Sequence, residues 1–360
     1  MRTVDKSLFL QDTPLLDVRA PVEFAHGAFP TAVNLPILND HERELVGTCY
    51  KQEGPAAAVQ LGHQLVSGDT RRNRVAAWSA FITSHPGACL YCFRGGQRSG
   101  IAEAWLRDAG ILIPRIAGGY KAMRNFLLGE FEHLPGLVVI AGKTGTGKTE
   151  FLANLETLVS GSTVDLEAAA HHRGSAFGKR LAPQPSQIDF ENRVAISLLR
   201  RKGPRLFIED ESRTIGRINL PLPLQAAMKA APVWLLEDSM AHRVARIYRE
   251  YLVDQRADYI SRYQDSKEAG KAHAEDFINA IDAIQKRLGG ERHRLIRAEL
   301  IEAFSSENLS LAQHAGWIEK LLTLYYDPMY DYQLSRKAER IHATGTAGEL
   351  LQAAQQALDT

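Results

Sequence analysis

The sequence predicts an α/β protein of two domains, the second a doubly wound parallel sheet with a phosphate-binding loop and a helical C-terminal extension. Three observations predict it. Gly142-Lys143-Thr144-Gly145-Thr146-Gly147-Lys148-Thr149 fits the pattern G-x-x-x-x-G-K-[ST] and stands between a strand-like run and a helical one. Through residues 134–240, short apolar runs alternate with stretches of helical spacing, as in parallel strands joined by helices. A breaker at His133-Leu134-Pro135-Gly136 separates this half from an N-terminal third with its own short strands and helices. The expected domains are 1–133, 134–240 and, as the helical extension of the second, 241–360.

In chain order, Leu15 to Val18 and Ala88 to Cys92 are apolar, strand-like runs, and Ile101 to Asp108 has helical spacing. A helical stretch ends near Glu132. Leu137 to Ala141 then reads as a buried strand, Glu150 to Val159 as a helix, and Ser162 to Leu166 as a weaker strand. Arg205 to Glu209 and Pro232 to Glu237 complete the strand-like runs. From Ala241 onward strands are expected to vanish, and amphipathic patterns rich in Arg, Glu, Gln and Ala are cut at Gly289-Gly290 and Asp327-Pro328.

The chain has 360 residues, 45% hydrophobic and 24% charged, which suits globular domains with full cores. Met1 to Phe9 lacks the apolar core of a secretion signal, and no run of about 18 apolar residues occurs, so no membrane role is expected. Three cysteines are too few for a disulfide framework, and a reducing cytoplasm is the expected setting. Lys plus Arg (43) nearly cancels Asp plus Glu (42), so an RNA partner would be held by local basic patches, not by a global field.

In the phosphate-binding loop the glycines let backbone N–H groups and a helix N-terminus point at phosphate oxygens. Lys148 adds a positive charge, and the Thr149 hydroxyl can ligate Mg2+. A carboxylate at the end of another strand is needed to hold the metal's water shell; Glu209, Asp210 and Glu211 are the candidates, and the sequence does not choose among them. No protein group is assigned as a direct metal ligand. Asp165 and Glu167 close the weaker strand, where they could handle substrate, although Asp165 equally suits an N-cap. Arg243, Arg246 and Arg249 recur every three residues on one helix, either to clamp phosphates or RNA or as a solvated face.

Cys92-Phe93-Arg94-Gly95-Gly96-Gln97-Arg98-Ser99 follows a strand and precedes a helix. A cysteine entering such a loop meets converging N–H groups and a helix N-terminus, a field that favours thiolate and can hold an oxyanion. Arg94 and Arg98 reinforce the field, Gly95 and Gly96 clear space, and Ser99 opens the helix. Cys89 lies along the strand and reads as core. Cys49, in a stretch read as a loop, either resolves a persulfide or is idle.

Leu15-Leu16-Asp17-Val18-Arg19-Ala20-Pro21-Val22-Glu23-Phe24, the following Gly27, and Ala32-Val33-Asn34-Leu35-Pro36 resemble the N-terminal signature of rhodanese domains. With Cys92 and Gly118-Gly119-Tyr120, the resemblance covers about residues 5 to 130. A rhodanese-like α/β domain fused to a phosphate-binding-loop domain resembles the tRNA 2-selenouridine synthase family across the whole chain; Tyr50-Lys51-Gln52 and His172 to Gly178 are similar to further stretches of that family. The resemblance implies conversion of wobble 2-thiouridine in tRNA to 2-selenouridine through an S-geranylated intermediate. Selenophosphate and geranyl diphosphate would be co-substrates, and a selenophosphate supplier a partner. Cys92 would then handle selenium in a cradle of Arg94, Gly95, Gly96, Arg98 and Ser99, and the loop Gly142 to Thr149 would grip diphosphate. Arg173, Arg243 and Arg246 are candidate RNA or phosphate contacts, with Arg292, Arg294 and Arg297 further along. Two other readings compete: a phosphatase using Cys92 and Arg98 as Cys-x5-Arg, and a kinase or NTPase carrying an inert rhodanese-like module.

Overall fold

A computed structural model describes residues 1–305 and 310–359; residues 306–309 and 360 of the expected extension lie outside the described residues. Two compact units form, one from Met1–His133 with Pro185–Arg200, the other from Leu134–Gln184 with Arg201–Thr360. Both are α/β with parallel sheets.

The first unit is built on β1 (Leu15–Asp17), β2 (Ala32–Asn34) and β3 (Cys89–Tyr91), all parallel in the order β2-β1-β3. Parallel bridges from Leu90 to Arg115 and from Arg2 to Ile116 continue the hydrogen bonding beyond β3. Every residue of β1 and β3 is buried, as expected where helices cover both faces of a sheet. Leu16, Val18, Trp78, Leu90, Trp105 and Leu106 form its core. The helix Gln187–Leu199 also belongs here, which corrects the expectation that 134–240 forms one continuous domain core. Its Asp189 accepts from the Ala28 N–H at 2.7 Å, and Asn192 donates to the Ala28 carbonyl at 2.7 Å. Helical spacing announces a helix but not the sheet that buries it.

Asp17 ends β1 inside this core. It pairs with Arg19, whose Nη2 lies 2.6 Å from Oδ2, both side chains being at most 2% exposed. Arg19 also donates to the Gly27 carbonyl at 2.9 Å and lies 4.0 Å from the centre of the Tyr120 ring. The Asp-Val-Arg signature is therefore a buried ion pair that ties strand end, turn and helix together.

The second unit adds β4 (Leu137–Ala141), β5 (Thr163–Val164), β6 (Leu206–Glu209), a two-stranded antiparallel ribbon of β7 (Thr214–Ile215) and β8 (Ile218–Asn219), β9 (Val233–Leu236) and β10 (Ile341–Gly345). The sheet is parallel throughout, in the order β10-β9-β4-β6-β5. β10 corrects the expectation that strands vanish after Ala241. It is a five-residue edge strand, and one half-covered face leaves too short an alternation to stand out from the helical pattern around it. Val138, Ile140, Phe207 and Leu236 pack on Phe151, Leu152 and Leu155 of the helix Lys148–Leu158. The remainder is helical, with a core of its own around Phe277, Ile281, Ile296, Leu300 and Trp317. No helix among the described residues is long and apolar enough to cross a membrane.

Removing one member of the Asp17–Arg19 pair strands a buried charge, which costs roughly 3–5 kcal/mol. Arg19→Ala is expected to lose about that much in chemical denaturation, whereas the double variant Asp17→Asn, Arg19→Met should lose clearly less. Equal losses would show that the charge pairing is not what holds this corner.

Candidate functional site

The phosphate-binding loop leaves the end of β4 and runs into the helix Lys148–Leu158, whose N-cap Gly147 has φ +84°. That positive φ favours glycine, and a Cβ there would also come within 2.8 Å of the Arg246 guanidinium. The loop backbone is held from outside. Arg243 Nε donates to the Thr144 carbonyl at 2.8 Å and Arg246 Nη1 to the Gly145 carbonyl at 2.7 Å. Arg243 is 4% exposed and forms a two-pronged pair with Asp327, one contact at 3.0 Å. That corrects its candidacy as an RNA contact: its charge is buried and satisfied. Arg246 pairs with Asp238 at 2.8 Å and Glu150 at 3.1 Å. Lys143 reaches Asp331 at 2.8 Å, and Thr146 Oγ1 bonds the Lys143 carbonyl at 2.9 Å.

Lys148 folds back on the loop, donating to the Gly142 carbonyl at 2.9 Å with its ammonium 5.2 Å from the Tyr330 ring centre. Burial works against its charge, but Tyr330, Glu211, Glu167 and Glu209 together hold its pKa above the ordinary lysine value. Those three glutamates converge. One oxygen from each lies within 4.8 Å of the others. Thr149 Oγ1 donates to Glu209 at 2.8 Å and approaches Glu167 at 3.4 Å. Burial and neighbouring carboxylates push Glu209 and Glu167 up to about 8 and Glu211 up to about 7. The second oxygen of Glu209 is buried without a partner.

The other acidic candidates have different occupations. Asp210 is bound by Lys337 at 2.6 Å, and Asp165 caps the helix Leu166–Ala170 through the Ala168 N–H at 2.7 Å. Glu167, two residues after Asp165, is the group that turns toward Thr149.

Loop, carboxylates and the stretch His172 to Ala176 line a chamber of about 900 Å³, joined by Arg249, Arg287, Tyr251 and Tyr330. Arg173 lines it too, donating to the Glu250 carbonyl at 2.8 Å and stacking 4.7 Å from the Tyr251 ring centre. Two π-helical turns, Tyr248–Asp254 and Leu322–Tyr326, bring tyrosines to this wall. Thr144, Ser175, Tyr251 and Tyr326 also border an apolar pocket walled by Phe277, Trp317, Ile318 and Leu322. Farther along the extension, Arg297 pairs with Asp282 and Arg292 donates to the Leu324 carbonyl.

In the first unit, Cys92 follows β3 and is 3% exposed, its Sγ 3.2 Å from Ser99 Oγ. Gly118-Gly119-Tyr120 closes the loop from behind: the Tyr120 N–H donates to the Cys92 carbonyl at 2.9 Å, and a Cβ on Gly119 would overlap that carbonyl and the Gly95 nitrogen. The N–H groups of Arg94, Gly95 and Gly96 meet no backbone acceptor among the described residues. Arg94 is exposed, whereas Arg98 pairs with Glu23, one contact at 3.0 Å. Arg98 thus anchors the loop to the helix Pro21–His26 while its charge stays near Cys92. Cys89 is core and accepts a weak bond from Arg2. Cys49 lies in the helix Asp40–Glu53, not in a loop, and burial and Glu53 raise its thiol pKa, the wrong direction for a reactive thiolate.

Residues 135–360 match the family model described as the tRNA 2-selenouridine synthase AAA domain. Proteins named tRNA 2-selenouridine synthase align over nearly the whole chain. That of Bordetella bronchiseptica is 51% identical, covering 96% of this chain and 95% of its own. Those of Pseudomonas putida and Marinobacter nauticus are 49% and 48% identical, covering 96% and 94% of this chain and 94% and 93% of their own. The chain belongs to the tRNA 2-selenouridine synthase family.

Within this member of the tRNA 2-selenouridine synthase family, sequence reasoning missed Tyr330 beside Lys148 and Glu23 beneath Arg98. Tyr330 carried no local signal, lying in the helix Asp327–Ser335, far along the chain from Lys148. Glu23 stood in the quoted signature and could have been asked which cation it meets. Carboxyls held above their ordinary value stabilise the fold while protonated. That contribution is full below about 4.5 and is lost as pH rises to about 8. The Tm of the metal-free protein is expected to fall across this window more steeply than that of Glu209→Gln, and Mg2+ to recover part of the loss at the alkaline end. Parallel pH profiles would contradict the cluster.

Proposed function

We propose that this chain converts 2-thiouridine at the wobble position of tRNA into 2-selenouridine, with selenophosphate as selenium donor and an S-geranylated nucleoside between the two. The observation that carries the reading is that one phosphate-binding loop borders a polar chamber and an apolar pocket at once, through Thr144. A nucleotide would offer the pocket a polar base. Geranyl diphosphate offers a diphosphate to Lys148 and the loop N–H groups and a hydrocarbon tail to Phe277, Trp317 and Leu322.

In the first step the thiouridine sulfur bonds to the geranyl carbon, the carbon–oxygen bond to diphosphate breaks, and the uridine loses its N3 proton. Lys148 and the helix N-terminus stabilise the departing charge. The buried, unpartnered oxygen of Glu209 and the Thr149 hydroxyl fit a hard cation, so Thr149, Glu209, Glu167 and Glu211 would hold Mg2+, which supplies further neutralisation of diphosphate. In the second step selenium from selenophosphate bonds to C2, the C2–S bond breaks, and sulfur leaves with its electron pair as geranyl thiolate, while water takes the phosphoryl group. Cys92 handles selenium here. The N–H groups of Arg94 to Gly96, the charge of Arg98 and the exposed Arg94 receive the selenophosphate anion.

Arg173, Arg249 and Arg287 of the chamber wall are the proposed contacts for RNA phosphates. A tRNA substrate sets the work in the cytoplasm, downstream of an enzyme that makes selenophosphate. The phosphatase reading leaves the phosphate-binding loop without a task, and the kinase reading leaves Cys92 without one.

Cys92→Ser removes the thiol from the proposed selenophosphate cradle with little change in volume. Its tRNA is expected to accumulate S-geranyl-2-thiouridine and to contain no 2-selenouridine, read by mass spectrometry of wobble nucleosides. Full selenation by this variant would overturn the assignment.

A further inference from the structure

We propose that a second apolar cavity, beside the cysteine loop, binds the isoprenyl chain of the S-alkylated uridine while selenium replaces sulfur. The inference rests on the S-geranyl reading above and adds a binding site to it. The cavity, about 100 Å³, lies between the helices Asp40–Glu53, Pro55–Leu65 and Gln97–Asp108 of the first unit. Its walls are apolar, among them Ile37, Val46, Val66, Ile101 and Trp105. Gln97 and Arg98 of the cysteine loop also line it, and Cys92 packs in the same cluster as Ile37, Val66 and Trp105.

Selenophosphate is a small, highly charged anion and has no use for such walls. Protein interiors close-pack, and an apolar void left open costs stability, so a void held open beside a reactive cysteine points to an apolar ligand. Gly62 helps keep it open: a Cβ built there would meet only Val46 Cγ2, at 3.9 Å, an ordinary contact. Gly62 lies inside a helix without positive φ, where other residues favour the helix more, so backbone conformation does not demand glycine. The ligand class follows from the second step. The sulfur that leaves C2 carries its hydrocarbon chain, and burying that chain next to the cysteine loop fixes the uridine for attack and sequesters the departing thiol.

The test compares full-length wild type, Gly62→Ala and Gly62→Leu in two assays: geranylation of thiolated tRNA, and selenation of tRNA supplied already geranylated. Leucine adds side-chain bulk at the cavity wall. Gly62→Leu is expected to raise KM for geranylated tRNA in selenation by about tenfold or more, with Gly62→Ala between it and wild type, while geranylation stays within about twofold. Geranyl thiol alone should inhibit selenation by wild type competitively. Unchanged selenation by a folded Gly62→Leu protein, or by Gly62→Ala together with no inhibition by geranyl thiol should the leucine variant fail to fold, would overturn the cavity's role. Failure of wild type to selenate geranylated tRNA would instead overturn the S-geranyl reading, and the cavity's role with it.

Discussion

Two arginines on the helix Met240–Ile247 give the phosphate-binding loop its shape. A loop of glycines and threonines has many conformations, and only one presents its N–H groups together. Arg243 and Arg246 remove that freedom by holding the carbonyls of Thr144 and Gly145, leaving the N–H face of the loop for a ligand. Arg243 can sit buried because Asp327 neutralises it, and Asp327 opens the helix Asp327–Ser335 that also brings Tyr330 to Lys148. The helical extension is thus part of the site, not an appendage to it.

The carboxylates gathered on the far side of Lys148 are the electrostatic complement of that frame. Three glutamates within one cation's reach repel each other and resist losing their protons, as their raised pKa values record. Lys148 and Thr149 offset part of that repulsion, and on the proposed reading a divalent ion arriving with diphosphate would offset the rest. In the first unit the same logic operates in miniature, where Glu23 pins Arg98 and leaves Arg94 as the exposed cation of the cysteine loop.

What could be read from the sequence were the features written in consecutive residues. The loop Gly142 to Thr149, the strands β4, β6 and β9 as apolar runs, and the cysteine loop all announce themselves locally. What could not be read depends on partners far apart in the chain. Three-residue spacing shows Arg243 and Arg246 on one helix face, yet only Asp327, more than eighty residues on, decides that Arg243 is buried. The edge strand β10 has one covered face and five residues, and the helix Gln187–Leu199 carries no mark of the unit it joins. Glu167 and Asp165 share a strand end, and only the turn into the next helix determines which one caps and which one faces Thr149.

The central claim is that the two units divide the chemistry, the loop around Lys148 activating sulfur and the loop around Cys92 delivering selenium. Lys148→Ala supplied with geranylated tRNA and selenophosphate measures this most directly. The account predicts 2-selenouridine formation at close to the wild-type rate by a protein that no longer geranylates thiolated tRNA. Loss of selenation in that variant, with folding and tRNA binding intact, would contradict it.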